Sequence, residues 1–134
     1  SLAKYIERAA EILELVGLGG KEMLPALSLP HGDKRKLEIG ILLATEPELL
    51  LLDEPTAGIS REEVPAIMEV IGKIKAAGGK TIMLVEHKME IVMNTSDRIT
   101  VMQHGKIIAE GAPTEIAGNA IVQAAYLGGG AVAI

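Results

Sequence analysis

Leu49-Leu50-Leu51-Leu52-Asp53-Glu54-Pro55 is the stretch that decides the fold. A continuous apolar run of this length suits a parallel strand buried on both faces. Thr81-Ile82-Met83-Leu84-Val85 repeats the pattern and ends in Glu86-His87, so it reads as a second buried strand. Between the two, Ser60-Arg61-Glu62-Glu63 has the form of a capping box. Val64, Ile67, Met68, Ile71 and Ile74 follow at three- and four-residue steps, the stripe of an amphipathic helix. Pro65 fits poorly in the second turn of such a helix, which points to a shifted or kinked start. Gly78-Gly79 closes it. Alternating strand and helix predict an α/β fold with a largely parallel sheet.

Working outward, residues 4–16 read as a helix carrying Ile6, Ala9, Ala10, Leu13 and Val16, ended by Gly17. Residues 19–30 look like a loop. Residues 33–44 form a second helical pattern with Leu37, Ile41 and Ala44 on one side, and Pro47 breaks it. Downstream, a short helix is expected over 89–93. Strands at 98–102 and 106–109 flank His104-Gly105 as a hairpin. Thr114 is placed to cap a small helix, and a last helix spans 119–127. The glycines at 128–130 are expected to fray.

Composition narrows the function. The 134 residues suffice for one domain with a real core, built without Phe or Trp from Leu, Ile, Val, Ala and Met. A net charge of −5 with no strongly basic stretch argues against nucleic acid as a partner. Cysteine is absent, which removes disulfides and thiolate zinc sites. The apolar runs are far too short to cross a bilayer, and no secretory leader is read at Ser1, so membrane association is expected only through a partner.

Three segments carry chemistry. At Asp53-Glu54 an apolar strand delivers two carboxylates at its C-terminal end, the edge where ligands sit in open α/β sheets. In nucleotide hydrolases the first such acid holds magnesium and the second polarises the attacking water. Taken alone, the pair also fits an acidic strand end leading into a turn. Leu29-Pro30-His31-Gly32-Asp33 stands directly before a helix, where backbone N–H groups and the positive dipole end are free for an anion. Lys34, Arg35 and Lys36 oppose the dipole there and make better sense beside an anion, although a solvated face also accommodates them. Asp33 would equally serve as a helix cap. His87, past the second strand, is able to donate to a terminal phosphate. A lone histidine there is also an ordinary surface residue. His104 receives no role, and His31 is expected to act through its backbone. The methionines at 68, 83, 89, 93 and 102 read as core filler.

Together these segments resemble the nucleotide-binding subunit of ABC transporters. Leu29-Pro30-His31-Gly32-Asp33 is similar to the family signature Leu-Ser-Gly-Gly-Gln. Leu49–Glu54 resembles the Walker B strand with its catalytic glutamate. Ala57-Gly58-Ile59-Ser60 falls where the D-loop belongs, and His87 where the switch histidine belongs. Asp53 lies 24 residues after Leu29, and His87 lies 34 after Asp53, both at family spacing. Residues 29–40, Ala57-Gly58-Ile59 and Glu86-His87 are similar to the ATPases of branched-chain amino-acid importers or their urea and amide relatives.

The resemblance implies a partial P-loop NTPase fold. Residues 1–46 would be part of the helical subdomain with the signature, and 47–134 the C-terminal part of the ATPase core. It implies ATP and Mg2+ as ligands of the intact subunit. Asp53 would serve the metal, Glu54 the attacking water, and His87 the γ-phosphate. Pro30, His31, Gly32 and Asp33 would face the ATP held by a second ATPase subunit. Transmembrane permease subunits would be the other partners, and the location would be cytoplasmic, peripheral on the inner face of the cell membrane.

Some positions depart from the family pattern. Pro30 replaces the signature serine, leaving backbone donors at 31–33; Ser60 replaces the usual D-loop aspartate; Ile41 stands where many members carry arginine. No Gly-x-x-x-x-Gly-Lys-[Ser/Thr] occurs among the 134 residues. That loop grips the β- and γ-phosphates in the family, so the chain by itself is not expected to bind or hydrolyse ATP well. The family strand carrying it lies between the strand before His87 and the one at 98–102. Its absence is expected to leave a gap with unpaired edges and exposed apolar side chains. Two alternatives stay open: a truncated, non-catalytic interaction module, and a non-transport ABC-type ATPase.

Overall fold

The computed structural model describes residues 1–127 and 131–133. The glycines at 128–130, expected to fray, lie outside the described residues. The chain packs as two compact units. One comprises Ser1–Leu50 and Pro55–Ile82, the other Leu51–Glu54 and Met83–Ile134.

The first unit holds three helices, α1 (Leu2–Leu15), α2 (His31–Ala44) and α3 (Val64–Ala77). Helix α1 stops at Gly17, whose φ of 80° is open to glycine at little cost. Gly17 N–H then donates to Glu14 O and Leu18 N–H to Leu13 O, the paired bonds of a Schellman motif. Only the C-terminal part of α1 enters the core, through Ile12 and Val16. The stripe expected to bury Ile6, Ala9 and Ala10 is exposed, with Ile6 at 62%. Gly40 of α2 sets this contact, since a Cβ there would stand 3.4 Å from Ile12 Cγ2 and 3.5 Å from Val16 Cγ2. Helix α3 buries Ile67, Ile71 and Ile74 of the face read from the sequence, together with Val70, which lies outside that reading, while Val64 and Met68 are half-buried.

Two helix starts differ from expectation. Helix α2 begins at His31, two residues early, because Pro30 (φ −56°, ψ 159°) is the last extended residue and lacks the N–H that a helix start leaves unpaired. Asp33 is therefore in the first turn rather than at the cap. Helix α3 begins at Val64, which places Pro65 in the first turn where proline is tolerated. Ser60 and Glu63 still clasp: Ser60 N and Oγ lie 3.3 and 3.0 Å from Glu63 Oε2.

Strands β1 (Leu49–Asp53) and β2 (Thr81–Val85) pair with each other. Thr81 N–H donates to Glu48 O and Glu54 N–H to Val85 O, bonds that advance in the same direction along both strands, so the pair is parallel. The expectation of burial on both faces is not met. Leu50 and Leu52 are buried, while Leu49 is 50% and Leu51 62% exposed. Among the described residues no further strand joins this pair.

The second unit carries α4 (Met89–Thr95), β3 (Ile99–Gln103), β4 (Lys106–Gly111), α5 (Pro113–Ala117), α6 (Ala120–Leu127) and β5 (Ala131–Ala133). Strands β4, β3 and β5 form an antiparallel sheet in that order, and β5 was not read from the sequence. The β3–β4 hairpin turns through His104 and Gly105, both with positive φ, as a two-residue hairpin loop of the type I′ class requires. Val92, Ile99, Val101, Ile116 and Val122 form its core, with Met89 and Met93 packed against them as filler. Met83 is an exception, 47% exposed. Helix α5 is not capped by Thr114. Ala112 occupies the cap position, and its N–H reaches Glu115 Oε1 at 3.4 Å.

Candidate functional site

The second unit brings Asp53, Glu54 and His87 to the C-terminal ends of β1 and β2. Asp53 ends its strand exposed. Glu54 then takes φ 47°, the left-handed region, which costs a non-glycine residue about 1 kcal/mol. Two contacts offset that cost. The Glu54 N–H donates to Val85 O at 2.8 Å, and its Oε1 meets His87 Nε2. The backbone reversal thus turns the Glu54 carboxylate toward the residue that follows the neighbouring strand. Both side chains remain open to solvent, 40% for Glu54 and 56% for His87, so the pair is accessible to a ligand.

The donor chemistry at this edge limits what metal it can take. Among the described residues no group of three His, Asp or Glu side chains is arranged to hold an ion. One exposed carboxylate does suit magnesium, which keeps several waters and is usually bound by one or two carboxylates with substrate phosphates. Asp53 fits that role and Glu54, engaged by His87, is oriented for another.

The residues of the 29–33 segment belong to the first unit. Leu29 is buried and Pro30 exposed. His31, Gly32 and Asp33 occupy the first turn of α2, and Lys34 N–H, bonded to Pro30 O, is the first to find an intrahelical partner. The N–H groups of 31–33 thus stand where a helix offers donors to an anion. The Asp33 carboxylate is not among the open groups. It is 9% exposed and held from both sides by Lys21 Nζ and by Lys36 Nζ at 3.4 Å. Burial alone would raise its pKa; the two ammonium groups outweigh burial and hold it below the usual value of 3.8.

The basic cluster is largely consumed by such pairs. Lys36 serves Asp33, and Arg35 Nη1 serves Glu38 at 2.8 Å. Sequence reasoning missed Lys21, which lies in the loop before α2, and the reach of Arg35 Nη2 to Ala57 O at 3.3 Å. Neither has a linear signature. The pairs are 12 and 22 residues apart, and the acceptor of the second is a backbone carbonyl.

Profiles of known families match both ends of the chain. The ABC transporter profile covers residues 4–57, and that of the branched-chain amino acid ATP-binding cassette transporter covers residues 106–132. The high-affinity branched-chain amino acid transport ATP-binding protein LivG of Salmonella typhimurium is 43% identical over 126 residues, which is 94% of this chain and 49% of LivG. BraF of Pseudomonas aeruginosa, described in the same words, is 39% identical over 92% of this chain and 48% of its own length. The chain spans about half the length of the curated relatives it matches. Among solved structures, the ADP conformation of MJ1267, an ATP-binding cassette of an ABC transporter, superposes with a TM-score of 0.82 at 32% identity. It is covered over 50% of its length, by 93% of this chain. CbiO1 from Clostridium perfringens, part of the ABC transporter complex cbiONQ, gives 0.81 at 30% identity, with coverage of 95% of this chain and 51% of CbiO1.

Proposed function

We propose, since this chain belongs to the ABC transporter ATP-binding family, that it supplies the signature, Walker B and switch-histidine part of a subunit coupling ATP hydrolysis to import of branched-chain amino acids. The names of its relatives LivG and BraF support that substrate class. The observation that carries the chemical reading is the contact of Glu54 with His87 beside Asp53, at the open end of a parallel strand pair. Glu54 accepts the proton side of the attacking water, and its left-handed backbone fixes the direction in which the carboxylate points. His87 holds that carboxylate in place and presents its ring to the γ-phosphate. Asp53 would supply an oxygen to Mg2+, and the ion would offset negative charge on the phosphates. The backbone donors of His31, Gly32 and Asp33, reached past Pro30, receive the γ-phosphate of ATP held by a second ATPase subunit.

No Gly-x-x-x-x-Gly-Lys-[Ser/Thr] occurs among these 134 residues, so they do not themselves supply the loop that grips the phosphates in the family. The other partners are permease subunits, which would hold the subunit at the inner face of the cell membrane. Among the described residues no helix is long and apolar enough to cross a membrane.

The test is Glu54→Gln in the gene product that carries this chain. Turnover should fall by at least about a hundredfold while ATP binding persists, because the amide keeps the shape but cannot take a proton. Undiminished hydrolysis would refute the role of the glutamate.

A further inference from the structure

We propose that Arg35 is a positioning residue that latches the 56–60 turn, where the D-loop falls, to the first turns of α2, which are proposed to receive a partner subunit's nucleotide, so that the two segments are held as one body. This inference rests on the function proposed above. Its warrant is a set of contacts within the first unit. Arg35 spreads its guanidinium between two acceptors, Glu38 Oε2 at 2.8 Å on its own helix and Ala57 O at 3.3 Å across the turn. The first arm is an i,i+3 pair that fixes where the fork points; the second holds the peptide joining Ala57 to Gly58. Gly58 has φ 72°, so this peptide belongs to a turn that glycine leaves free to swing.

The neighbouring contacts converge on the same joint. His31 Nε2 lies 3.5 Å from where a Cβ on Gly58 would stand, so the imidazole packs against the glycine. Gly32 leaves room for Glu63, whose Oε1 would be 2.8 Å from a Cβ at that position. Glu63 in turn clasps Ser60. Thr56 and Ile59 are buried at 1% and 8% exposure, anchoring both ends of the turn while its middle rests on Arg35 and His31. Among the described residues the buried Arg35 Nε has no hydrogen-bond partner, so the guanidinium engages its two acceptors through Nη1 and Nη2.

The fork geometry explains the residue type. A planar guanidinium serves two acceptors at fixed angles, which a lysine cannot do. One long hydrogen bond from a side chain still 28% exposed adds little to stability. Its effect is on where the Ala57–Gly58 peptide points, and misplacing a group near a reacting centre is costly to rate.

The test compares Arg35→Met, Arg35→Lys and Glu38→Gln in the gene product that carries this chain, by steady-state ATP hydrolysis and thermal unfolding. Arg35→Met should lower kcat at least about tenfold with KM for ATP within about twofold. Its Tm should move by no more than about 2–4 °C. Arg35→Lys should recover part of the lost rate, and Glu38→Gln should turn over as the parent does, because its amide oxygen still accepts from Arg35 Nη1 and the arm to Ala57 remains. Wild-type kcat in Arg35→Met overturns the latch, as does an equal loss in Arg35→Met and Glu38→Gln, which would mean only that α2 was weakened. If Arg35→Met does not fold, Arg35→Lys decides: reduced kcat at retained KM supports the latch, and unchanged kcat overturns it. A parent protein with no ATP turnover would overturn the proposed function and the latch together; an active parent with unaffected Arg35 variants overturns the latch alone.

Discussion

Asp33 joins two requirements at one residue. Its backbone N–H belongs to the donor set at the start of α2, and its carboxylate ties the preceding loop to the helix through Lys21 and Lys36. Because those cations outweigh its burial, the folded pKa lies below the unfolded value near 3.8. The unfolded chain therefore binds a proton at Asp33 more readily than the folded one. Stability from this group is fully present above the unfolded pKa and is lost as pH falls through the folded one. Thermal unfolding between pH 5 and pH 2 should show the parent losing stability more steeply than Asp33→Asn, whose side chain does not titrate; parallel curves would remove Asp33 from the account. The sequence suggests a helix cap at Asp33, which its place in the first turn of α2 overturns, and it carries no sign of the clamp. Capping follows from local order along the chain, whereas Lys21 reaches Asp33 only after the 21–30 loop has folded back. Glu54 was legible for the opposite reason. An acid directly after a buried run must emerge at the strand's end, so Asp53 and Glu54 reach the sheet edge whatever packs around them. The left-handed backbone that aims Glu54 at His87 carries no mark in the side chain.

Elements were legible where backbone chemistry is local. Gly17 shows the point. A helix needs its last carbonyls bonded, a left-handed residue at the first position beyond the cap allows this, and only glycine enters that region at little cost. Gly17→Ala should therefore destabilise the fold by about 1 kcal/mol, through the strained φ rather than through lost contacts. A Cβ there would meet only Lys36, at 3.7 Å or beyond. Urea unfolding with the m-value unchanged is the measurement, and a neutral substitution would remove the Schellman termination as the reason α1 ends where it does. The same logic read the β3–β4 hairpin from His104-Gly105. It failed for β5, because Ala131–Ala133 has no alternation of its own and becomes a strand only by pairing with β3, some thirty residues earlier. It also failed for the outer part of α1. Periodicity states which side chains share a face, but burial of that face needs a partner: of the stripe read from the sequence Val16 is buried, Leu13 is half-buried and Ile6, Ala9 and Ala10 are exposed, while Ile12, outside that reading, is buried.

At the scale of the molecule, the parallel pair β1–β2 sets the problem. Strands of parallel sheets are apolar on both faces because both are ordinarily covered. Here β1 buries Leu50 and Leu52 and exposes Leu49 and Leu51, while Met83 of β2 is 47% exposed. Among the described residues β1 and β2 pair only with each other, so the pair also presents strand edges with open N–H and C=O groups. The family resemblance already implied this exposure, since the phosphate-gripping loop and its strand are not found within these residues. What periodicity could not give was the side on which the cover would be lacking. An exposed apolar face beside an open strand edge favours pairing with another copy. Prepared as the 134-residue chain alone, the protein should show a weight-average mass by light scattering that rises with concentration. Leu51→Lys, which places a charge on the exposed face without touching Leu50 or Leu52, should lower that mass at equal concentration. Self-association untouched by Leu51→Lys would locate the sticky surface elsewhere, such as the exposed Met23 and Leu27 of the first unit. A parent chain that stays monomeric at every concentration, with its strand content intact, would show that this exposed face is tolerated in water.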